Sequence, residues 1–184
     1  MLRHLPNALT LLRLIAAVPI ALLIAHEHAG PALWLFLAAG VTDVLDGFLA
    51  KRFGWITRLG GWLDPLADKV LIICATAALA WHGDLPLWLF ALIAVRDVVI
   101  VGGAVAFHFN YAPLRAAPTL IGKLTMLTQV LMVLLLLVAN AYPLLIPALA
   151  ESAAFAITAA LLVASGIDYV RRWSRKARRL KEKT

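Results

Sequence analysis

One cysteine in 184 residues leaves no partner for an intrachain disulfide; Cys74 lies inside an apolar run and reads as a small buried hydrophobe. Charge is the second shortage. Only 15% of residues are charged, against about 25% in an ordinary soluble domain. With 63% hydrophobic residues and a mean hydropathy of +0.90, there is too little polar surface to cover a water-soluble globule. Lipid must supply that cover. The net charge of +7 is not spread as on a nucleic-acid-binding face, because residues 171–184 hold eight basic groups and one acid, Glu182. Residues 1–170 are therefore neutral overall. The sequence points to no nucleic-acid partner, and the tail reads as a strip for anionic lipid, where each cation near the surface contributes about 1 kcal/mol.

What the chain has in abundance is long apolar runs. About 20 such residues cross the hydrocarbon core as a helix, since backbone polar groups must be satisfied internally there. Six stretches qualify, at roughly 9–25, 31–50, 64–81, 87–109, 119–139 and 144–170, the last extending beyond its membrane part. Connectors at 26–31, 82–86, 110–118 and 140–143 carry Pro, Gly, Asn, Asp and His. Lys and Arg accumulate on the cytoplasmic side of a membrane. Arg3, the 51–58 connector, Arg115 and the tail fall on one side if six spans alternate, and the connectors on the other side contain no Lys or Arg. The expectation is an all-α integral membrane protein of six transmembrane helices with both termini cytoplasmic. Residues 1–170 form its transmembrane domain and 171–184 a basic cytoplasmic tail. Arg3 before an apolar run suggests a signal peptide, but Arg13 interrupts that run and no small-x-small cleavage site follows. Residues 2–8 read instead as a short interfacial helix.

Ionisable groups within spans cost about 2.5 to 3.5 kcal/mol each at a helix centre, so each needs a reason. Asp43 and Asp46 fall late in the second span, and Asp64 and Asp68 early in the third. Spacings of three and four put each pair on one helix face, and antiparallel helices bring both pairs to similar depth. Four ionised carboxylates repel one another, and Lys51 and Lys69 cannot neutralise them all. Two divalent cations can. All-oxygen ligands suit Mg²⁺ or Mn²⁺ rather than zinc. Gly47, Ala50, Gly60 and Gly61 leave room for a phosphorylated ligand to approach the backbone, although small residues also serve helix packing. The competing reading of the acids is structural: Asp64 as a helix cap ahead of Pro65, with ion pairs to Lys51, Arg52 or Lys69.

The stretch from Asp43 to Asp68 resembles the signature of the CDP-alcohol phosphatidyltransferase family, D-x2-D-G-x2-A-R-x8-G-x3-D-x3-D. Asp43, Asp46, Gly47, Ala50, Gly60, Asp64 and Asp68 match position by position, and Lys51 replaces the usual Arg. A Lys there is a point charge without the planar fork of Arg. Pro6, Asn7, Thr10 and Arg13 are similar to the way this family opens. The resemblance implies six transmembrane helices, a homodimer and two Mg²⁺ or Mn²⁺ ions held by Asp43, Asp46, Asp64 and Asp68. It implies CDP-diacylglycerol as donor, with Gly47, Ala50, Lys51 and Gly60 lining the cytidine and diphosphate pocket. Asp68 is the implied general base that takes the proton from the acceptor hydroxyl. The setting implied is the inner membrane of a bacterium, with the active site facing the cytoplasm.

For the acceptor, Arg96 early in the fourth span and Lys123 early in the fifth offer cations to a phosphate; snorkelling or pairing is the plainer account of both. Phosphatidylglycerophosphate synthases of this family carry a second Arg eight residues after the Arg96 position, where this chain has Ala104. The pattern Arg96-Asp97-Val98, Ala117-Pro118-Thr119 and Gly122-Lys123 is more similar to the CMP-forming cardiolipin synthase branch, which implies phosphatidylglycerol as acceptor. Glycerol 3-phosphate is the alternative. A divalent-cation transporter and an aspartate-rich prenyltransferase are the readings from other classes. The first gives no reason for the glycine offsets, and the second generally spaces its aspartates differently. His26, Glu27 and His28 read as a solvated loop, six Trp residues as interfacial anchors, and Asp168 as a partner for Arg171 or Arg172.

Overall fold

A computed structural model describes residues 5–53, 60–110 and 119–181. The described residues form six α-helices: α1 (Leu5–Ala25), α2 (Ala29–Phe53), α3 (Gly60–His82), α4 (Leu87–Asn110), α5 (Leu120–Ala141) and α6 (Ala148–Lys181). Four windows, Asn7–Ala25, Ala29–Phe48, Leu120–Ala141 and Ala148–Arg172, are long and apolar enough to cross a membrane. Large apolar side chains such as Leu11, Leu12, Ile15, Val18 and Leu22 of α1 stand exposed on the helix surface, as lipid-facing residues do.

Two helix starts differ from expectation. Leu5 to Leu9 are the opening turns of α1, continuous with the rest of it, and residues 2–4 of the expected interfacial helix lie outside the described residues. Nothing in that stretch breaks a helix, because Pro6 falls in the first turn, where its missing N–H costs no bond. At the other end α6 begins at Ala148, not near 144. Pro143 and Pro147 bracket a turn closed by the Leu145 N–H donating to the Tyr142 carbonyl at 2.9 Å, and a residue preceding proline is disfavoured in helical geometry.

The turns that end α1 and α3 share one device. Glu27 adopts φ 63°, while the His28 N–H donates to the Leu23 carbonyl at 2.8 Å and the Glu27 N–H to that of Ile24 at 3.1 Å. This is a Schellman closure with a non-glycine residue in the left-handed position. Gly83, at φ 99°, ends α3 in the same way and without a Cβ penalty.

The chain divides into two compact units. The first runs to Pro86 and takes in Val133–Ala148. In it α1 packs against both α2 and α3. Each helix turns one stripe inward. Thr10, Arg13, Ala17, Ile20 and Ile24 of α1 are buried, as are Ala32, Phe36, Ala39 and Asp46 of α2 and Ala67, Leu71, Ala75 and Leu79 of α3. The alternation of three and four residues is what a helix needs to keep one face against its neighbours.

The second unit comprises Leu87–Met132 and the chain from Leu149 onward. Its core includes Leu89, Ile93, Met132 and Leu162, interleaved with buried Thr125, Gln129, Thr158 and Ser165. Thr125 Oγ donates across to the Leu161 carbonyl of α6 at 3.1 Å, one of the hydrogen bonds that join helices where apolar contact alone discriminates little from lipid. Thr119 caps α5: its Oγ accepts from the Gly122 N–H at 3.0 Å.

Candidate active site

The inward stripes of α1, α2 and α3 are apolar over most of their length and become polar at one end of the first unit. There Arg13 is the organiser. Its side chain is 1% exposed, and its Nη1 lies 2.5 Å from Asp43 Oδ1 and 2.8 Å from Asp68 Oδ1, with Nη2 2.7 Å from Asp46 Oδ2. Three residues earlier on the same face, Thr10 Oγ donates to Asp64 Oδ1 at 2.6 Å. All four predicted aspartates are thus gathered in one place, but through α1 rather than by direct convergence of the two pairs.

Burial distinguishes the carboxylates. The Asp46 side chain is 5% exposed, Asp68 28% and Asp43 44%, so the cluster is closed behind Asp46 and open beside Asp43 and Asp68. A cation on Arg13 lowers the cost of keeping these acids charged at membrane depth, where an unpaired carboxylate is expensive. The capping alternative for Asp64 does not hold, since α3 begins at Gly60 and Asp64 lies one turn inside it.

Sequence reasoning missed Arg13 and Thr10 as site residues, although a signal was present. An arginine inside an apolar run carries the same cost as the aspartates, and the offset of three from Thr10 puts both on one face. Gly47 stands beside Asp46 on α2, and a Cβ built there meets nothing within 4 Å, so the backbone is open to a ligand. Ala50 and Lys51 are on α2, Gly60 opens α3 and Ala104 is on α4, but their surroundings lie outside the described residues, and Arg115, Ala117 and Pro118 lie outside them altogether. Next to Arg13 a groove of about 220 Å³ runs between α1 and α2, lined by Leu12, Ile15, Ala16, Leu35, Ala38 and Thr42 among others. It is apolar, as an acyl chain requires.

Among the described residues no three acidic, histidine or cysteine side chains form a ready-made cation site, and Asp43, Asp46 and Asp68 are bridged by the Arg13 guanidinium. The donor set nevertheless suits a hard divalent ion: every ligand atom is a carboxylate oxygen, and three of them converge within hydrogen-bonding range of a single guanidinium.

Arg96 and Lys123 belong to the second unit, and Lys123 is exposed on α5. Arg96 is 10% exposed and already engaged: Nη1 donates to Asp97 Oδ1 at 2.7 Å and Nη2 to Ser165 Oγ at 2.8 Å, with the Tyr169 ring 6.0 Å away. Pairing, the plainer of the two expectations, describes it. Arg172 holds Asp168 through Nε at 2.9 and 3.0 Å, as anticipated. At the far end of the first unit, a second cavity of about 310 Å³ is lined by Glu27, His82, Asp84 and Asn140 together with apolar residues. His82 Nδ1 lies 3.0 Å from Asp84 Oδ2, and Nε2 lies 3.5 Å from Glu27 Oε1. The carboxylate of Asp84, with Glu27 beyond it, raises the His82 pKa above its ordinary value.

Comparison with known proteins places this geometry in context. The family model described as CDP-alcohol phosphatidyltransferase matches residues 3–165. The chain is 34% identical over 180 residues to a Schizosaccharomyces pombe protein named cardiolipin synthase (CMP-forming) / mitochondrial hydrolase fusion protein, covering 90% of this chain and 30% of that one. It is 36% identical over 177 residues to a probable phosphatidylglycerophosphate synthase of Mycobacterium tuberculosis, covering 92% and 81%. Cardiolipin synthase (CMP-forming) of Homo sapiens is 35% identical over 146 residues, covering 70% and 48%. The chain therefore spans under a third of the yeast protein, about half of the human one and most of the mycobacterial one.

Proposed function

The chain belongs to the CDP-alcohol phosphatidyltransferase family, and we propose that it transfers the phosphatidyl group of CDP-diacylglycerol to the hydroxyl of a glycerol-type acceptor, releasing CMP. The observation that carries this reading is the gathering of Asp43, Asp46, Asp64 and Asp68 at one end of α1–α3 beside an apolar groove. A charged headgroup and an acyl chain need those two environments side by side.

In the proposed reaction the acceptor oxygen forms a bond to the lipid-side phosphorus while the bond from that phosphorus to the CMP oxygen breaks. Asp68, on the open side of the cluster, accepts the hydroxyl proton on a carboxylate oxygen. Asp43, Asp46 and Asp64, with Asp68, would hold two Mg²⁺ or Mn²⁺ ions; when bound, these offset charge on the diphosphate and on the departing CMP. Gly47 lets the donor approach α2, with Ala50, Lys51 and Gly60 completing its pocket.

Phosphatidylglycerol is the proposed acceptor, making the activity that of a CMP-forming cardiolipin synthase. Arg96 is neutralised by Asp97 and held by Ser165, and Ala104 stands where a second Arg serves glycerol 3-phosphate, so less free positive charge awaits a compact phosphate acceptor. Similarity to the mycobacterial protein keeps glycerol 3-phosphate as the second reading. The proposed setting is a bacterial inner membrane crossed six times, with both termini and the acids on the cytoplasmic side, the basic tail on anionic lipid, and a homodimer as the working unit. CMP release from CDP-diacylglycerol tests the reading. Purified protein with Mg²⁺ or Mn²⁺ receives phosphatidylglycerol, glycerol 3-phosphate, inositol phosphate or serine in turn. Release with phosphatidylglycerol alone is expected, release with glycerol 3-phosphate alone selects the second reading, and release with none rejects both.

A further inference from the structure

Resting on the proposed metal site, we propose that Arg13 and the divalent ions are alternative occupants of one carboxylate cradle. The guanidinium is the resident counter-charge of the ion-free protein, and ion loading displaces it. Two observations and one physical argument lead there. Arg13 engages one carboxylate oxygen on each of Asp43, Asp46 and Asp68, three of the four side chains assigned to the proposed ions. A guanidinium and a divalent ion cannot share those oxygens, because like charges a few ångströms apart repel strongly where the dielectric is low. The fork of Arg13 is also incompletely used. Its Nε is buried with no hydrogen-bond partner, so the guanidinium holds the carboxylates through its two terminal nitrogens only.

The exchange has a chemical logic. The single charge of Arg13 is shared among three carboxylates, so it keeps α1, α2 and α3 together and leaves the cradle receptive to more positive charge. Arg13 then sets the affinity for the ions as a competing and positioning residue. On release, its long side chain carries a cation at the rim of the α1–α2 groove, which suits an anionic headgroup lying over an acyl chain.

The test is ion binding by the full chain in detergent or nanodiscs, without lipid substrate. Mn²⁺ is titrated into the wild type and into Arg13→Gln, and thermal unfolding is followed in chelator and in excess Mn²⁺. Competition predicts that Arg13→Gln binds Mn²⁺ at least about tenfold tighter, melts lower than wild type in chelator, and recovers most of the difference with the ion. Equal or weaker binding by the variant, with the same melting deficit in both conditions, makes Arg13 a permanent structural partner and overturns the proposal. Absence of Mn²⁺ binding in both proteins also overturns it, together with the metal site. A measurement on the wild type guards against a variant that does not fold. The guanidinium ¹⁵N signal of Arg13 should show hindered rotation in chelator and free rotation in saturating Mg²⁺; hindrance unchanged by Mg²⁺ rejects the exchange. Competition with no CMP release from any acceptor would retire the transferase reading alone, and CMP release without competition would retire this inference alone.

Discussion

At the scale of single residues, Asp46 and Asp68 show how neighbouring carboxylates acquire different tasks. Both pair with Arg13, but Asp46 is enclosed while Asp68 opens to one side, so an acceptor hydroxyl can reach only the latter. Asp68→Asn keeps the shape and removes the proposed base. It is expected to lower CMP release by about 10²- to 10⁴-fold while a CDP-diacylglycerol analogue still binds, and near-normal turnover would remove Asp68 from that role. Gly47 gives a second separable prediction. A methyl group there meets no protein atom within 4 Å, and alanine favours the helix by up to about 1 kcal/mol. Gly47→Ala should melt no lower than wild type yet lose turnover, because the methyl group occupies the proposed approach of the donor. Unchanged activity in the same preparation would move the donor elsewhere.

At the scale of helices, the ends are set by side chains and turn geometry more than by hydropathy. The Schellman closure of α1 places Glu27 in a left-handed conformation that costs a non-glycine residue about 1 kcal/mol or more. Glu27→Gly, measured at a pH where His82 is neutral so that its partner is not missed, should raise stability by about 0.5 to 1 kcal/mol in detergent melts. Thr119→Ala should do the opposite, removing the cap of α5 at a cost of about 1 kcal/mol. An unchanged melting temperature would mean that packing alone fixes the start of α5. Such ends are the part of the helix map that hydropathy reads least well. The runs of apolar residues locate the six helices of the described residues to within about four residues at each end, except that α6 continues through the basic tail to Lys181, whereas the late start of α6 depends on two prolines and a turn.

For the whole molecule, the His82 cluster offers a stability signature independent of catalysis. It links the α1–α2 turn to the α3–α4 connector, and Asn140 near the end of α5 joins through its amide donating to Asp84 Oδ2 at 2.5 Å. Because the folded protein raises the His82 pKa, the unfolded chain gives up the proton first as pH rises. The contribution is therefore present in full below the ordinary histidine value of 6.5 and is lost as pH climbs through the raised value. Melting temperature should fall over that window, and His82→Gln should flatten the fall when both proteins are scanned from about pH 5.5 to 9. Identical pH profiles would show that the cluster holds nothing together.

The sequence by itself determined that the chain is helical and lies in lipid, since runs of about twenty apolar residues admit no other backbone solution there. It also determined which aspartates share a face, because residues three and four apart must. Which helix each face meets is a different matter. Periodicity records that Thr10, Arg13, Ala17, Ile20 and Ile24 of α1 turn inward together, but not toward what. Only the tertiary structure decided that this stripe packs on α2 and α3 and brings one guanidinium among three carboxylates of two other helices. Contacts across 30 to 55 residues depend on how the three stripes pack together, and that choice is a property of all three helices at once.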